Sequence, residues 1–198
     1  MNNNYVYTIG NKIYINITNK CSNNCDFCIR QGRDGMNGTD LWIQNQPDGA
    51  DIIEQLPLNL DDYDEEVVFC GFGEPTYNLD AMEEVASYLH CVDKTTRINT
   101  NGQANLIHKQ DVSSVIADCC DVVNVSLNAP DAKKYQQHCK SIFGEKAFDS
   151  MLEFATLCKQ RGAKVVFSVV DSIGEEDVEK CRALAKKYDI PLRVRVKE

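Results

Sequence analysis

The chain has 198 residues and a formal net charge of -9, long enough for one domain with a sizeable core. Its acidity argues against a sequence-independent nucleic-acid or membrane binder, because both need a basic face. No charged and apolar leader opens the sequence and no apolar run approaches a membrane span, so a cytoplasmic protein is expected.

In chain order, "KIYINIT" (12-18) reads as the first strand, and three cysteines, Cys21, Cys25 and Cys28, follow it at once. A long irregular stretch, roughly 29-64, carries "GRDGMNGTDLW" and reads as a lid, with Arg30, Arg33 and Trp42 among its residues. "EVVFCG" (66-71) is the next strand. Leu79, Met82, Val85 and Leu89 then mark one face of a helix that Asn78 is expected to cap. Strands follow at "TRINTN" (96-101) and "DVVNVSLN" (121-128). The stripe Phe148, Met151, Leu152 and Ala155 predicts a helix ended by Gly162. "KVVFSVV" (164-170) is a strand, "EEDVEKCRALAKKY" (175-188) a helix with Val178, Cys181, Leu184 and Tyr188 inward, and "LRVRV" (192-196) the last strand.

Strands alternating with helices imply parallel pairing through crossovers, and six strands are too few for the closed eight-stranded barrel. A doubly wound open sheet and a partial barrel remain. Strands buried on both faces are nearly all apolar, whereas here Asn16 and Thr18, Arg97 and Asn99, Asn124, Ser126 and Asn128, and Arg193 and Arg195 alternate with apolar neighbours. If those polar sets share a face, the sheet curls around a wet interior. The expected fold is therefore α/β, a partial (β/α)6 TIM-type barrel with parallel strands.

Ten cysteines without a secretory signal are expected to be reduced thiols or metal ligands. Cys70, Cys91, Cys119, Cys120, Cys139, Cys158 and Cys181 show no ligand spacing and read as small buried hydrophobes; a second cluster from Cys119, Cys120 and Cys139 is the alternative. The opening trio is different. Structural zinc and electron-carrier clusters use four ligands, so C-x3-C-x2-C leaves one iron of a [4Fe-4S] cluster open. His90, His108 and His138 fall in no catalytic pattern and are expected on helices or the surface.

"CSNNCDFC" (21-28) resembles the signature of the radical S-adenosylmethionine (SAM) enzymes, with Phe27 in its aromatic position. "CGFGEPT" (70-76) is similar to that family's Gly-Gly-Glu stretch, with Gly73 and Glu74 matching and Phe72 standing where glycine is common. "NTNG" (99-102) and "VSLNA" (125-129) resemble the motifs ending the next two strands. More narrowly, nearly the whole chain resembles small radical SAM proteins named for association with TatD-family nucleases.

The resemblance implies one radical SAM core domain over 1-198, without the family's C-terminal auxiliary-cluster domain. It implies Cys21, Cys25 and Cys28 as ligands of a [4Fe-4S] cluster, and Phe27, Gly73, Glu74, Asn99, Thr100, Ser126 and Asn128 around SAM. A carboxylate at Glu74 beside exposed carbonyls would suit the methionyl ammonium. An electron from reduced flavodoxin or ferredoxin would cleave SAM to methionine and a 5'-deoxyadenosyl radical, which takes hydrogen from a small-molecule, peptide or protein substrate. Arg193 or Arg195 would meet a substrate carboxylate or phosphate. A monomer is expected, with a functional link to a TatD-family nuclease. Alternatives are a glycyl-radical-enzyme activase, a rearranging enzyme of deazapurine synthesis, and a non-catalytic iron-sulfur electron carrier.

Overall fold

A computed structural model describes residues 3-196. Its main sheet contains β1 (Val6–Ile9), β2 (Lys12–Ile15), β5 (Glu66–Phe69), β6 (Thr95–Thr100), β7 (Val122–Ser126), β8 (Lys164–Val170) and β9 (Leu192–Arg195), in that spatial order. Two short strands, β3 (Gly35–Met36) and β4 (Thr39–Asp40), form a separate hairpin in the 29-64 segment. That segment also holds helix α1 (Gly49–Gln55), which Asp48 and Asp51 cap reciprocally. The expected lid is therefore only partly irregular.

Within the main sheet every pairing from β2 to β9 is parallel, and spatial order follows chain order. A doubly wound sheet would reverse direction at a switch point; this one winds one way, as a barrel does. The ladder ends at β9 on one side and β1 on the other, so the barrel is partial.

The strand β1 lay outside the expected set. It pairs antiparallel with β2 through the two-residue Gly10-Asn11 turn, with Ile9 opposite Lys12 and Gly10 at φ 59. A Gly-Asn pair between two β-rich runs is a hairpin signal.

The crossovers carry α2 (Leu79–Cys91), α3 (Ala104–His108), α4 (Ser113–Cys119), α5 (Ala132–Cys139), α6 (Lys146–Gln160) and α7 (Glu175–Lys187). Their apolar stripes bury Met82, Val85, Leu89, Phe148, Met151, Ala155, Val178 and Cys181 against Ile13, Ile15, Ile17, Phe69, Ile98, Val125, Leu127 and Phe167 in one cluster. Gly162, at φ 98, follows the end of α6 as anticipated. Two details differ. Asn78 sits at the N-terminus of α2 but its side chain caps nothing, donating instead to the Ile17 carbonyl at 3.2 Å and the Pro47 carbonyl at 2.9 Å. Tyr188 lies just beyond α7 and is only half-buried.

Register settles the face of the polar residues. Val68 pairs with Arg97, Asn99 with Asn124, Ser126 with Ser168, Ser168 with Arg193, and Val170 with Arg195. Directly paired residues share a face, so the polar sets line the side away from the main helix-packed core. That side is partly covered by Tyr7, Leu41 and Phe72, which form a second small cluster.

Candidate functional site

The cysteine loop leaves β2 at the end where the parallel strands finish, and the segment after β5 lies against it. Glu74 N–H donates to the Lys20 carbonyl at 2.8 Å, and Phe72 N–H to Asn16 Oδ1 at 3.3 Å. This approach explains both glycines. A Cβ on Gly73 would stand 2.1 Å from the Thr18 carbonyl oxygen, and one on Gly71 would stand 2.0 Å from Asn16 Oδ1. Arg30 ties the two segments further, donating to the carbonyls of Asn19, Asn23 and Phe72 at 3.3 to 3.4 Å.

Glu74 is buried and its carboxylate is occupied by the protein. Oε1 accepts from Thr76 N–H at 3.3 Å, Thr76 Oγ1 at 2.9 Å and Thr100 Oγ1 at 2.7 Å; Oε2 accepts from Asn101 N–H at 2.6 Å. Burial lifts its pKa, and these four donors hold the rise back. In this structure the carboxylate braces the end of β5 to the end of β6. Thr100 belongs to that brace, for a strand turns successive side chains to opposite faces. Asn99, paired with Asn124, faces the polar side, whereas Thr100 turns to the brace.

The cysteine loop is held chiefly through its backbone. Asn24 N–H donates to the Cys139 carbonyl at 2.9 Å and Asp26 N–H to the His138 carbonyl at 3.0 Å, so the loop satisfies carbonyls at the end of α5. A buried network anchors it as well. Asn23 Nδ2 donates to the Tyr135 hydroxyl at 3.1 Å, Gln103 Nε2 to Asn23 Oδ1 at 2.9 Å, and Asn101 Nδ2 to Ser22 Oγ at 2.9 Å. The roles of Asn23, inside the cysteine motif, and of Gln103, next to "NTNG", were not anticipated, nor were those of Tyr135 and His138, which are remote in sequence from the loop they support. His138 Nδ1 meets Asp26 Oδ2 at 3.0 Å, while His90 and His108 lie at other helix ends.

The three thiols are half-buried and differ in setting. Burial, reinforced by the nearby Glu74, pushes Cys21 up to about 12. Burial also raises Cys28. Cys25 is lowered, because the Cys139 thiol hydrogen-bonds to it. Among the described residues no three His, Cys, Asp or Glu side chains are gathered closely enough to hold a metal. Cys119 and Cys120 lie at the end of α4, whereas Cys139 packs beside Cys25 and Tyr135, so the alternative cluster is not assembled either.

Phe27 is partly buried against the main core, Ser126 is half-buried on the polar face, and Asn128 lies just past β7 at φ 51. Asn128 is 4% exposed, and its Oδ1 has no hydrogen-bond partner among the described residues. A buried acceptor without a donor costs about 1–3 kcal/mol, so this amide suits a hydroxyl or amine of a ligand. Three soft thiolate donors in one loop suit iron–sulfur ligation. The residues present thus fit a cluster and a polar nucleotide, provided the Cys25 side chain turns away from Cys139.

A one-way parallel barrel with a thiol-bearing loop and a Gly-rich loop at its strand ends defines a cofactor-binding α/β barrel protein. Residues 15–187 match the Radical SAM superfamily, and the chain belongs to that family. Enzymes of this superfamily use a [4Fe-4S] cluster and SAM. The fold is similar to that of SuiB from Streptococcus suis bound to precursor peptide SuiA, with TM-score 0.73 and 19% identity, covering 95% of this chain and 39% of that one. It is similar to anSMEcpe with bound AdoMet, with TM-score 0.66 and 16% identity, covering 93% and 50%. A radical SAM methyltransferase from Sphaerobacter thermophilus gives TM-score 0.66 and 13% identity, covering 96% and 68%. The chain thus spans well under half of SuiB and half of anSMEcpe. No curated protein matches it.

Proposed function

We propose that the protein is a radical SAM enzyme in which Cys21, Cys25 and Cys28 hold three corners of a [4Fe-4S] cluster. The observation that carries this reading is a loop with three thiols, set at the mouth of a polar-lined barrel of the matching family. When bound, the cluster and SAM supply reductive cleavage to methionine and a hydrogen-abstracting 5'-deoxyadenosyl radical.

This chain's own residues bind, orient and shield. The Gly71 to Gly73 backbone offers carbonyls for the methionyl ammonium, and Glu74 with Thr100 fixes that backbone. Asn128 Oδ1 accepts a hydrogen bond from the nucleotide, with Ser126 and Asn99 beside it on the polar face. Phe27 packs the cysteine loop onto the core and keeps water from its underside. Arg30 screens charge accumulating on the thiolates while holding the two loops together.

We place the protein in the cytoplasm as a monomer with one core domain, served by reduced flavodoxin or ferredoxin. No helix among the described residues is long and apolar enough to cross a membrane. The substrate class is a small molecule, peptide or protein; SuiB, solved with a precursor peptide, supports the peptide. The functional link to a TatD-family nuclease rests on the narrower resemblance of the sequence.

Anaerobic reconstitution with iron and sulfide, followed by dithionite and SAM, tests the reading. Formation of 5'-deoxyadenosine is expected. A loaded cluster that yields none would favour the electron carrier.

A further inference from the structure

Arg97 stands on the polar face of the sheet, in the row that runs Tyr14, Val68, Arg97 across β2, β5 and β6. Its side chain is only 15% exposed, and Nη1 pairs with Glu66 Oε1 at 3.3 Å. Glu66 belongs to the row beneath, opposite Thr95, and Lys12 also approaches it at 3.9 Å. The Arg97 Nε is buried and meets no hydrogen-bond partner among the described residues. A buried donor without an acceptor is costly. In a guanidinium, Nε and one Nη form a fork that grips both oxygens of a carboxylate. Glu66 holds the Nη1 corner and leaves the Nε–Nη2 fork for a ligand.

We propose that the Nε–Nη2 fork of Arg97 binds one carboxylate of the substrate inside the barrel. This rests on the polar interior being the substrate chamber of a radical SAM enzyme. Arg193, opposite Ser168 on β9, shares that face, and Arg195 stands a row nearer the mouth. Burial raises the Tyr14 hydroxyl, and the charges of Arg97 and Arg193 hold the rise back, so both cations act on one point from β6 and from β9. Glu66 offsets one of those two charges, and the subsite therefore matches a monoanion better than doubly charged phosphate. A strand advances about 3.3 Å per residue, which sets the Arg97 Cα about 10 Å below Thr100, the last residue of β6. A carboxylate held at that depth directs the rest of a small acid, or of an acidic peptide side chain, toward the mouth and the cysteine loop.

The test follows the Arg97 Nε–H signal by nitrogen–proton correlation nuclear magnetic resonance in the full chain, both cluster-free and reconstituted with SAM but unreduced. Loss of the signal in Arg97→Lys identifies it; should that variant not fold, through-bond correlation to the Arg97 backbone does. Butyrate should move the signal saturably, beyond the shift given by chloride at equal ionic strength, and inorganic phosphate should bind more weakly. In Arg193→Gln the Kd for butyrate should rise about fivefold, as the loss of one exposed charge implies. Acetylated and amidated Ala-Glu-Ala tells a peptide-borne carboxylate from a free acid: tighter binding of either probe assigns the source and supports the subsite. A signal indifferent to both probes, one that chloride moves as far, or a preference for phosphate would overturn the proposal. Formation of 5'-deoxyadenosine by a protein whose Arg97 signal stays still would strike the subsite and leave the radical SAM reading. A saturable shift in a protein that forms none would strike that reading and leave the subsite.

Discussion

The segment after β5 and the segment after β2 touch at the mouth of the barrel, yet they are secured by different means. Around Glu74, side chains do the holding: four donors converge on one buried carboxylate, and two glycines let the backbone settle onto its neighbour. Around the cysteines, main-chain bonds to the end of α5 hold the loop while its thiols remain ungathered. One half of the mouth is therefore organised by folding, and the other is left for its cofactor to organise. Substitutions in the first half should act on stability, and substitutions in the second on cluster and nucleotide binding.

The largest effect is expected at Cys28. Cys28→Ala should abolish the intact cluster after reconstitution, with the melting temperature of the cluster-free protein nearly unchanged. Cys181→Ala should retain the iron, because that thiol is buried in the helix layer. Iron lost from both variants would break the division of the cysteines.

Glu74→Ala is next. It strands buried donors from Thr76, Thr100 and Asn101, and should lower unfolding free energy by about 3 kcal/mol, measured by urea denaturation of cluster-free protein. An unchanged midpoint would show that the brace contributes nothing. Gly73→Ala meets a backbone oxygen and should cost about 2–3 kcal/mol as overpacking. Gly71→Ala meets the movable Asn16 side chain and should cost less.

Asn128→Gly keeps the left-handed backbone comfortable while deleting the amide. SAM affinity should fall about tenfold, equivalent to about 1.4 kcal/mol, with little loss of stability. Calorimetric titration of reconstituted protein would show this; unchanged affinity would remove Asn128 from the nucleotide site.

The smallest effect belongs to Asp111, far from the mouth. Its carboxylate accepts from Ser113 Oγ and N–H and from Arg161 Nη2 at 2.7 Å, which holds it down at about 2. A lowered carboxylate pKa contributes stability above the unfolded value, and the contribution fades as pH falls through about 2. Because the pair is largely solvent-exposed, Asp111→Asn should cost under about 1 kcal/mol at neutral pH. The difference from wild type should shrink in acid.

What was legible in the sequence follows from the range of each interaction. Strand alternation is local, and it foretold the shared polar face because parallel register keeps paired residues on one side. The cysteine spacing is equally local. The Gly10-Asn11 pair is a local hairpin signal too, although the opening run before it, rich in tyrosine and polar residues, gives a weak strand pattern by itself. The same period-two rule sets Asn99 on the polar face and Thr100 in the brace. What could not be read is the strap from α5. Nothing near Cys25 announces Cys139, and nothing near Glu74 announces that its carboxylate is already taken by Thr100 and Asn101.

Electron paramagnetic resonance of the reduced, reconstituted protein, recorded before and after SAM is added, addresses the open cluster corner most directly. A shift in the signal on adding SAM is the result expected from three-thiolate anchoring. A spectrum indifferent to SAM, with a fourth protein side chain bound to the iron, would contradict it.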